Sequence, residues 1–330
     1  MIYKCANCGG NVVYSPEKHK MYCPYCESEE SEQVTYAGEG TISICPDCGG
    51  EIPVKEFTAA TQCPYCSNYL ILDERVEGEY LPKMLIPFQL GKETCKKTIR
   101  DKFKKNVFAP TDFLSEVRLN SMEGTYVPFW FYDYDVNADY HAEATKVRSW
   151  TSGNMAYTET SYYDVLRNMD ISYQNIPVDA SIQMPDSVMD LMEPYDYKQL
   201  TDFDPKYMSG FHAERYNMGA EELKPRASQK MKEDTTALVK AQISGYSSVR
   251  ELQNVTKINS ETQSYGMLPV WKYIYHYQDK DYPFYVNGQT GKIVGEAPIS
   301  HKKVWAYAGT LWLCLTIICT CIGLMPLILS

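Results

Sequence analysis

The feature that most constrains this chain is a set of eight cysteines near its start, arranged as four CxxC pairs. The cysteines are Cys5, Cys8, Cys23, Cys26, Cys45, Cys48, Cys63 and Cys66. Each of the first four has a counterpart 40 positions later, so one unit of chain is duplicated without an insertion between its cysteines. The spacing therefore predicts two small domains of one fold in tandem.

Each unit has the spacing of a zinc ribbon. The two residues inside a CxxC pair allow a tight turn to direct both thiolates at one ion, and the second pair completes a tetrahedral shell. Two glycines follow the first CxxC of each unit, Gly9 and Gly10 or Gly49 and Gly50, where positive φ and close backbone approach are useful. Because four thiolates leave no open coordination position, we expect one structural Zn²⁺ in each ribbon and two in the chain.

Two other uses of these cysteines can be considered. The sequence CPYC, at Cys23–Cys26 and again at Cys63–Cys66, is the glutaredoxin active-site tetrapeptide, but that chemistry needs the motif between a strand and a helix. No βαβ pattern surrounds either copy. A disulfide framework needs an oxidising compartment, and the chain begins with MIYKCANCGG without a signal-peptide pattern. Metal binding in a reducing cytosol is the better interpretation.

The charge of the ribbons disfavours nucleic acid as a partner. The whole chain has a formal net charge of −10, and residues 1–75 carry five basic and eleven acidic side chains. Eight thiolates on two Zn²⁺ ions would add further negative charge. A phosphate backbone would be repelled by this surface. A zinc-ribbon factor acting on nucleic acid in transcription or replication nevertheless remains the alternative function.

Residues 76–300 are expected to form an α+β domain with an antiparallel sheet. Its first helix is predicted at 92–107, where Cys95, Ile99, Phe103 and Val107 recur every four residues. The basic side chains of this segment are Lys92, Lys96, Lys97, Arg100, Lys102, Lys104 and Lys105. We interpret it as a sheet-packing helix with a solvated basic face. Contact with anionic lipid or with an acidic partner is the other possibility.

A short aromatic motif occurs twice in this domain and suggests internal duplication. Both copies alternate with period two, which is typical of strands. Four residues match at a constant offset of 141, namely Pro128, Trp130, Tyr132 and Tyr134 with Pro269, Trp271, Tyr273 and Tyr275. We expect these aromatic rows to form sheet core rather than base-stacking platforms. A polar helix over 219–243, a strand over 248–263 and a hairpin turn at Asn287–Gly291 complete the prediction.

No catalytic motif is recognisable in the sequence. It contains no HExxH, no GxSxG and no phosphate-binding GxxxxGK[ST]. His141 and His212 each open an HAE triplet, which occurs in zinc deaminases, but no PCxxC follows either one. Surface or core histidines are the simpler account, and we expect a protein that is not an enzyme.

The C-terminal segment, residues 301–330, is predicted to be a transmembrane anchor. Residues 304–330 contain no charged side chain, and about 20 apolar helical residues span a bilayer. Lys302 and Lys303 precede this run, and Trp305 and Tyr307 stand where an interfacial belt would lie. The expectation is a single-pass protein of the cell membrane with its N-terminal domains in the cytoplasm.

Several motifs together resemble a known family. They are the paired CxxC sets, Val127-Pro128-Phe129-Trp130, Asn175-Ile176-Pro177-Val178-Asp179-Ala180-Ser181, Leu268-Pro269-Val270-Trp271 and Asn287-Gly288-Gln289-Thr290-Gly291-Lys292-Ile293-Val294-Gly295. The chain is similar over nearly its whole length to TFIIB-type tandem zinc-ribbon proteins of Gram-positive bacteria that carry a C-terminal membrane anchor. Some of these are labelled primosomal helicase, although this chain has no nucleotide-binding loop.

The resemblance implies a function and a domain order. Relatives are encoded beside a PspA-like phage-shock protein and a flotillin-like membrane protein, which implies a membrane-anchored adaptor in envelope-stress defence. The expected order is a first ribbon over 1–36, a second over 37–75, the α+β domain and the anchor. The eight cysteines are the only site residues that the resemblance transfers.

Overall fold

The structure, a computed structural model, describes residues 1–35 and 42–328, with side chains described as far as Ile318 at the C-terminal end. The predicted boundary between the ribbons, at 36/37, lies outside the described residues. We use "ribbon 1" for residues 1–35, "ribbon 2" for 42–75 and "the body" for 76–300.

Both ribbons are built from short antiparallel strands. The strands of ribbon 1 are β1 (Ile2–Cys5), β2 (Val13–Ser15), β3 (Lys20–Tyr22) and β4 (Ser31–Val34). Those of ribbon 2 are β5 (Ile42–Ile44), β6 (Glu51–Pro53), β7 (Thr58–Gln62) and β8 (Tyr69–Ile71). β1 pairs with β4, β2 with β3, β5 with β6 and β7 with β8. The 14 residues between the CxxC pairs of ribbon 1 therefore contain the β2–β3 hairpin, as their length allows. The same interval of ribbon 2 contains β6 and β7, which pair with other strands, β6 with β5 and β7 with β8.

The body contains most of a ten-stranded sheet with the order β12-β9-β14-β10-β13-β7-β8. β11 also pairs with β10, β15 with β14, and β16 with β15. The strands are β9 (Met84–Leu85), β10 (Glu123–Ser152), β11 (Met155–Asp179), β12 (Thr201–Asp202), β13 (His212–Glu214), β14 (Ser248–Tyr277), β15 (Lys280–Asn287) and β16 (Ile293–Val294). The helices are α1 (Lys92–Phe103), α2 (Glu116–Leu119), α3 (Asp186–Met192), α4 (Ala220–Ala241) and α5 (His301–Ile328).

Three strands are much longer than the sequence pattern indicates. β10 and β14 have 30 residues each and β11 has 25, so a 30-residue strand extends for about 100 Å. The aromatic motif occupies only part of β10 and β14. Beyond it the strands continue in polar, β-branched sequence with weak alternation, which explains why their full length was not predicted.

The sheet has an internal pseudo-twofold axis. β10 and β14 are antiparallel, and Val127 pairs with Leu268, which is its own counterpart at the 141-residue offset. Around this pair the neighbouring strands repeat. β13 runs parallel to β10 at Thr125, and β9 runs parallel to β14 at Gly266, again 141 positions later. Each half of the repeat thus supplies a short strand to the other half, and these parallel pairs make the sheet mixed rather than purely antiparallel.

Side-chain hydrogen bonds follow the same symmetry. Trp130 Nε1 donates to the carbonyl of Met218 at 3.0 Å, and Trp271 Nε1 donates to the carbonyl of Leu90 at 2.8 Å. Both acceptors immediately precede the glycine that caps a helix, α4 in one half and α1 in the other. The tryptophans at offset 141 therefore have a shared structural role, which is to fix a helix start against the sheet.

Helices cover both faces of the sheet. On one face α4 packs on Tyr132 and Tyr134, while α1 packs on Tyr273 and Tyr275. The opposite face near the axis is covered by α3 and its flanking residues, with methionines as the main contacts. The aromatic rows are therefore sheet core, as the sequence indicates.

The predicted first helix is shorter and less exposed than expected. α1 buries Cys95, Ile99 and Phe103 but ends at Phe103, and Val107 lies beyond it with 69% of its surface exposed. Lys96 is only 2% exposed and binds Glu93 and Glu116. Part of the positive charge of this helix is thus neutralised inside the body.

The prediction of a transmembrane helix is wrong. Among the described residues, no helix is long and apolar enough to cross a membrane. The part of α5 with described side chains begins with His301, Lys302 and Lys303, and it includes the hydroxyl side chains of Thr310 and Thr316. The side chains of residues 319–330, which complete the predicted span, lie outside the described part of the chain.

Candidate metal centres

Each ribbon brings its four cysteines together. In both groups the sulfur atoms all lie within 4.8 Å of one another. Facing sulfurs are separated by 3.5 Å (Cys5 to Cys26, and Cys8 to Cys23) in ribbon 1, and by 3.6 and 3.7 Å in ribbon 2. A tetrahedral shell with Zn–S bonds of about 2.3 Å has sulfurs about 3.8 Å apart, whereas a disulfide needs about 2.05 Å. The spacing fits one tetrahedral ion in each site.

All four CxxC turns have the same backbone geometry. The first cysteine of each pair accepts a hydrogen bond at its carbonyl from the residue four positions later, at 2.8–2.9 Å. Those four residues have positive φ, namely Gly9 (71°), Glu27 (64°), Gly49 (73°) and Ser67 (63°). Sequence reasoning anticipated this only for the glycines. Glu27 and Ser67 adopt the left-handed conformation at some cost, because the turn requires it.

Backbone amides favour the thiolate form of one cysteine in each site. The backbone N–H of Cys8 is the main group that lowers the pKa of Cys5, to about 6. Burial opposes ionisation of Cys63, yet the N–H groups of Cys66 and Tyr65 lower its pKa to about 7. Neighbouring thiols raise the pKa of Cys8, and burial raises the pKa of Cys45 and Cys66. It is therefore Cys5 and Cys63 that favour the thiolate, the form that binds metal.

The two ribbons are joined to each other and to the body. The N-terminal ammonium of Met1 donates to the carbonyl of Ile71 and to Asp73. β7 of ribbon 2 pairs with β13 of the body, which makes ribbon 2 part of the main sheet. Ribbon 1 is held by Ser209, whose hydroxyl donates to the carbonyl of Val12 at 2.7 Å. The metal sites are therefore fixed relative to the body.

Arg75 is a structural residue that sequence reasoning missed. Its guanidinium donates to the carbonyls of Lys55, Glu56 and Thr58, which form the turn between β6 and β7. These contacts hold the segment that connects β6 to β7. An arginine at the end of ribbon 2 is the only sequence signal, and it is too general to identify this role.

The histidines of the HAE triplets are not metal ligands in this arrangement. His141 lies on the long part of β10, where its Nε2 contacts Asp164 at 2.5 Å. His212 lies on β13 with its ring 6.0 Å from that of Tyr69, and burial lowers its pKa. In the described residues, the two tetracysteine groups are the only clusters of possible metal ligands.

Two four-thiol sites on a pseudo-symmetric α+β body define a protein with tandem tetracysteine clusters, each of which could hold a metal ion. Comparison with known proteins places the chain more narrowly. It is 39% identical over 334 residues to the uncharacterized protein YdjG of Bacillus subtilis (strain 168), covering 97% of this chain and 98% of that protein. The chain belongs to the same family as YdjG. No family model and no solved structure matches it.

The match leaves the narrower assignment open. Membership of a TFIIB-type, envelope-stress-associated group stays a prediction, because the name of the relative states no activity or partner.

Proposed function

We propose that this protein is a non-enzymatic scaffold that uses its zinc ribbons to hold a protein partner. The closed geometry of the two tetracysteine sites is the observation that supports this most directly. Four thiol donors leave an ion no free position for substrate or water, so its role would be to stabilise a surface. The fixed attachment of ribbon 2 to the main sheet suits such a surface to partner binding.

The ribbons expose a pair of equivalent aromatic side chains. Tyr25 and Tyr65, related by the 40-residue repeat, are 73% and 68% exposed. Each ring lies against a glycine of the first CxxC turn in its own ribbon. A Cβ added at Gly10 would come within 2.6 Å of Tyr25, and Gly50 is similarly close to Tyr65. Rigidly placed, exposed tyrosines are frequent anchors in protein interfaces.

The charge around these tyrosines defines the partner that would fit. Exposed glutamates of ribbon 1 include Glu27, Glu29 and Glu30. A partner with basic side chains around an apolar pocket would complement this surface. The resemblance adds a specific class, a PspA-like coiled-coil protein or a flotillin-like protein. Location at the cytoplasmic membrane would then come from such a partner rather than from a spanning helix.

The alternative, a nucleic-acid-binding factor, has less support. Residues 1–75 carry more acidic than basic side chains, and the cations of α1 are partly used within the body. Lys92 donates to the carbonyl of Asn120, and Lys102 donates to that of Ile293. A salt-sensitive gel shift of short DNA or RNA duplexes with the full chain would favour this alternative over the scaffold.

Replacing both exposed tyrosines should weaken partner binding and leave the metal sites intact. A hot-spot tyrosine contributes at least about 2 kcal/mol, which corresponds to roughly 30-fold in affinity. We expect Tyr25→Ala/Tyr65→Ala to lose a protein that the parent chain captures reproducibly by cross-linking in its host. The matched control is Val117→Ala, at an exposed position on α2. Equal capture by all three proteins, at equal zinc content, would contradict the proposal.

A further inference from the structure

The outer edge of β11 is long and unpaired. Among the described residues β11 pairs only with β10, and its other edge has no strand beside it. The β10–β11 register runs without a break from Tyr134↔Tyr173 to Ser152↔Met155. About half of the backbone N–H and C=O groups of this regular strand are therefore directed away from β10, available to another strand.

This edge lacks three features that often protect exposed strands: lysine, proline and register shifts. Residues 155–172 contain neither lysine nor proline. Tyr162 and Leu166 are 81% and 63% exposed. The long strands β11, β10 and β14 lie side by side, and over 248–263 β14 forms the edge opposite to β11. This edge differs, because the β10–β14 register shifts at Asp135/Val136 and His141/Ala142 and β14 carries Lys257. Bulges and lysines discourage strand pairing, so β11 is the edge suited to it.

We propose that a second copy of this chain pairs with β11 edge to edge, forming an antiparallel homodimer with its twofold axis at Tyr163. In this register Glu159 of each copy lies opposite Arg167 of the other, so the symmetry forms two identical charge pairs. Met155 lies opposite Ile171 on the same face as these pairs. Opposite charges directly across an antiparallel pair stabilise it, and an isologous interface closes at two subunits.

Charge selects this register from its neighbours. A shift of the axis by one residue to Asp164 would place two aspartates opposite each other, and it would separate Glu159 from Arg167. A shift to Tyr162 would place Glu159 opposite Val165. All three registers keep α4 of both copies on one face of a continuous sheet, but only the axis at Tyr163 pairs the charges.

The two charged residues are available for this role. Within the described part of the chain, neither Glu159 nor Arg167 has an ion-pair partner within 4.0 Å. Arg148, which lies across from Glu159 on β10, has its guanidinium over the ring of Trp150 at 5.6 Å. In the described ranges, the guanidinium of Arg167 has one hydrogen bond, to the neighbouring carbonyl of Leu166. A dimer would supply each charge with an opposite one.

Charge reversal tests the register. In the full chain, Glu159→Arg or Arg167→Glu should each weaken self-association about tenfold, measured by sedimentation, because both symmetric pairs become repulsive. The double variant Glu159→Arg/Arg167→Glu should restore the parent affinity. Lys257→Glu, an equal charge reversal on β14, is the matched control and should leave it unchanged. A monomeric parent chain, or a double variant that is not restored, would overturn the proposal.

Cross-linking gives an independent readout. Residues facing each other across an antiparallel pair have Cα atoms about 4.5–5.5 Å apart, within disulfide range. Tyr163→Cys should therefore form a disulfide-linked dimer on mild oxidation, above the background of the parent chain. Leu166→Cys should not, because its two copies would lie roughly 20 Å apart. Equal cross-linking of both variants would exclude this twofold axis.

Discussion

Replacing one cysteine of ribbon 2, as in Cys45→Ser, should lower the zinc content from two ions per chain to one and unfold that ribbon. Small modules of this size have little core of their own, and structural Zn²⁺ contributes about 10–16 kcal/mol of apparent binding free energy near pH 7. Elemental analysis of purified protein measures the first effect, and proteolysis within residues 42–75 measures the second. Each result depends on the four thiols that lie within 4.8 Å of one another.

The two ribbons are attached to the body in different ways. Ribbon 2 contributes β7 and β8 to the main sheet through β13. The described strands of ribbon 1 form separate two-stranded sheets, and ribbon 1 joins the body through side-chain packing and the hydrogen bond from Ser209. Cys45→Ser should therefore lower the melting temperature of the body more than Cys5→Ser does. Cys95→Ala is the control, because Cys95 is buried in α1 and belongs to neither cysteine cluster, so its loss should leave two zinc ions. Two ions retained in Cys45→Ser would mean that Cys45 is not a ligand.

The local features of this fold were predictable because each depends on residues close in sequence. The CxxC spacing predicted the two cysteine clusters, and the Asn287–Gly291 turn predicted the β15–β16 hairpin. The 141-residue offset of the Pro and Trp motif indicated two related halves. Each of these signals has a direct physical basis in turn geometry or side-chain periodicity.

The long-range features were not predictable from one sequence. The exchange of β9 and β13 between halves involves strands of two and three residues, too short to produce a periodic pattern. The attachment of ribbon 2 depends on backbone pairing between β7 and β13, which any extended sequence can make. The burial of Lys96 depends on Glu116, which becomes a neighbour only after α1 and α2 pack.

An ion-pair cluster that the sequence did not reveal surrounds the buried Asp179. Arg226 on α4 donates to Asp179 at 2.8 Å, and it also contacts Asp186 at 3.1 Å and Asp190 at 2.9 Å. The side chain of Asp179 is fully buried at the end of β11. The cluster thus joins α4, α3 and the sheet. Burial raises the pKa of Asp179 to about 6, although the charge of Arg226 acts in the opposite direction.

Arg226→Met should destabilise the body by about 3–5 kcal/mol at pH 8, because it leaves the buried Asp179 without its cation. The folded-state pKa of Asp179, about 6, lies above its ordinary value of about 3.9. The free energy of unfolding therefore falls as pH rises between these two values. Losing Arg226 raises the pKa of Asp179 further, so the difference in unfolding free energy between parent and variant should grow from pH 6 to pH 8. Urea unfolding at both pH values measures this difference.

The control is Arg250→Met, which breaks an exposed pair with Glu143 and should lower the free energy of unfolding by at most about 1 kcal/mol at either pH. A variant difference that is small or independent of pH would show that Asp179 does not rely on Arg226 for its charge.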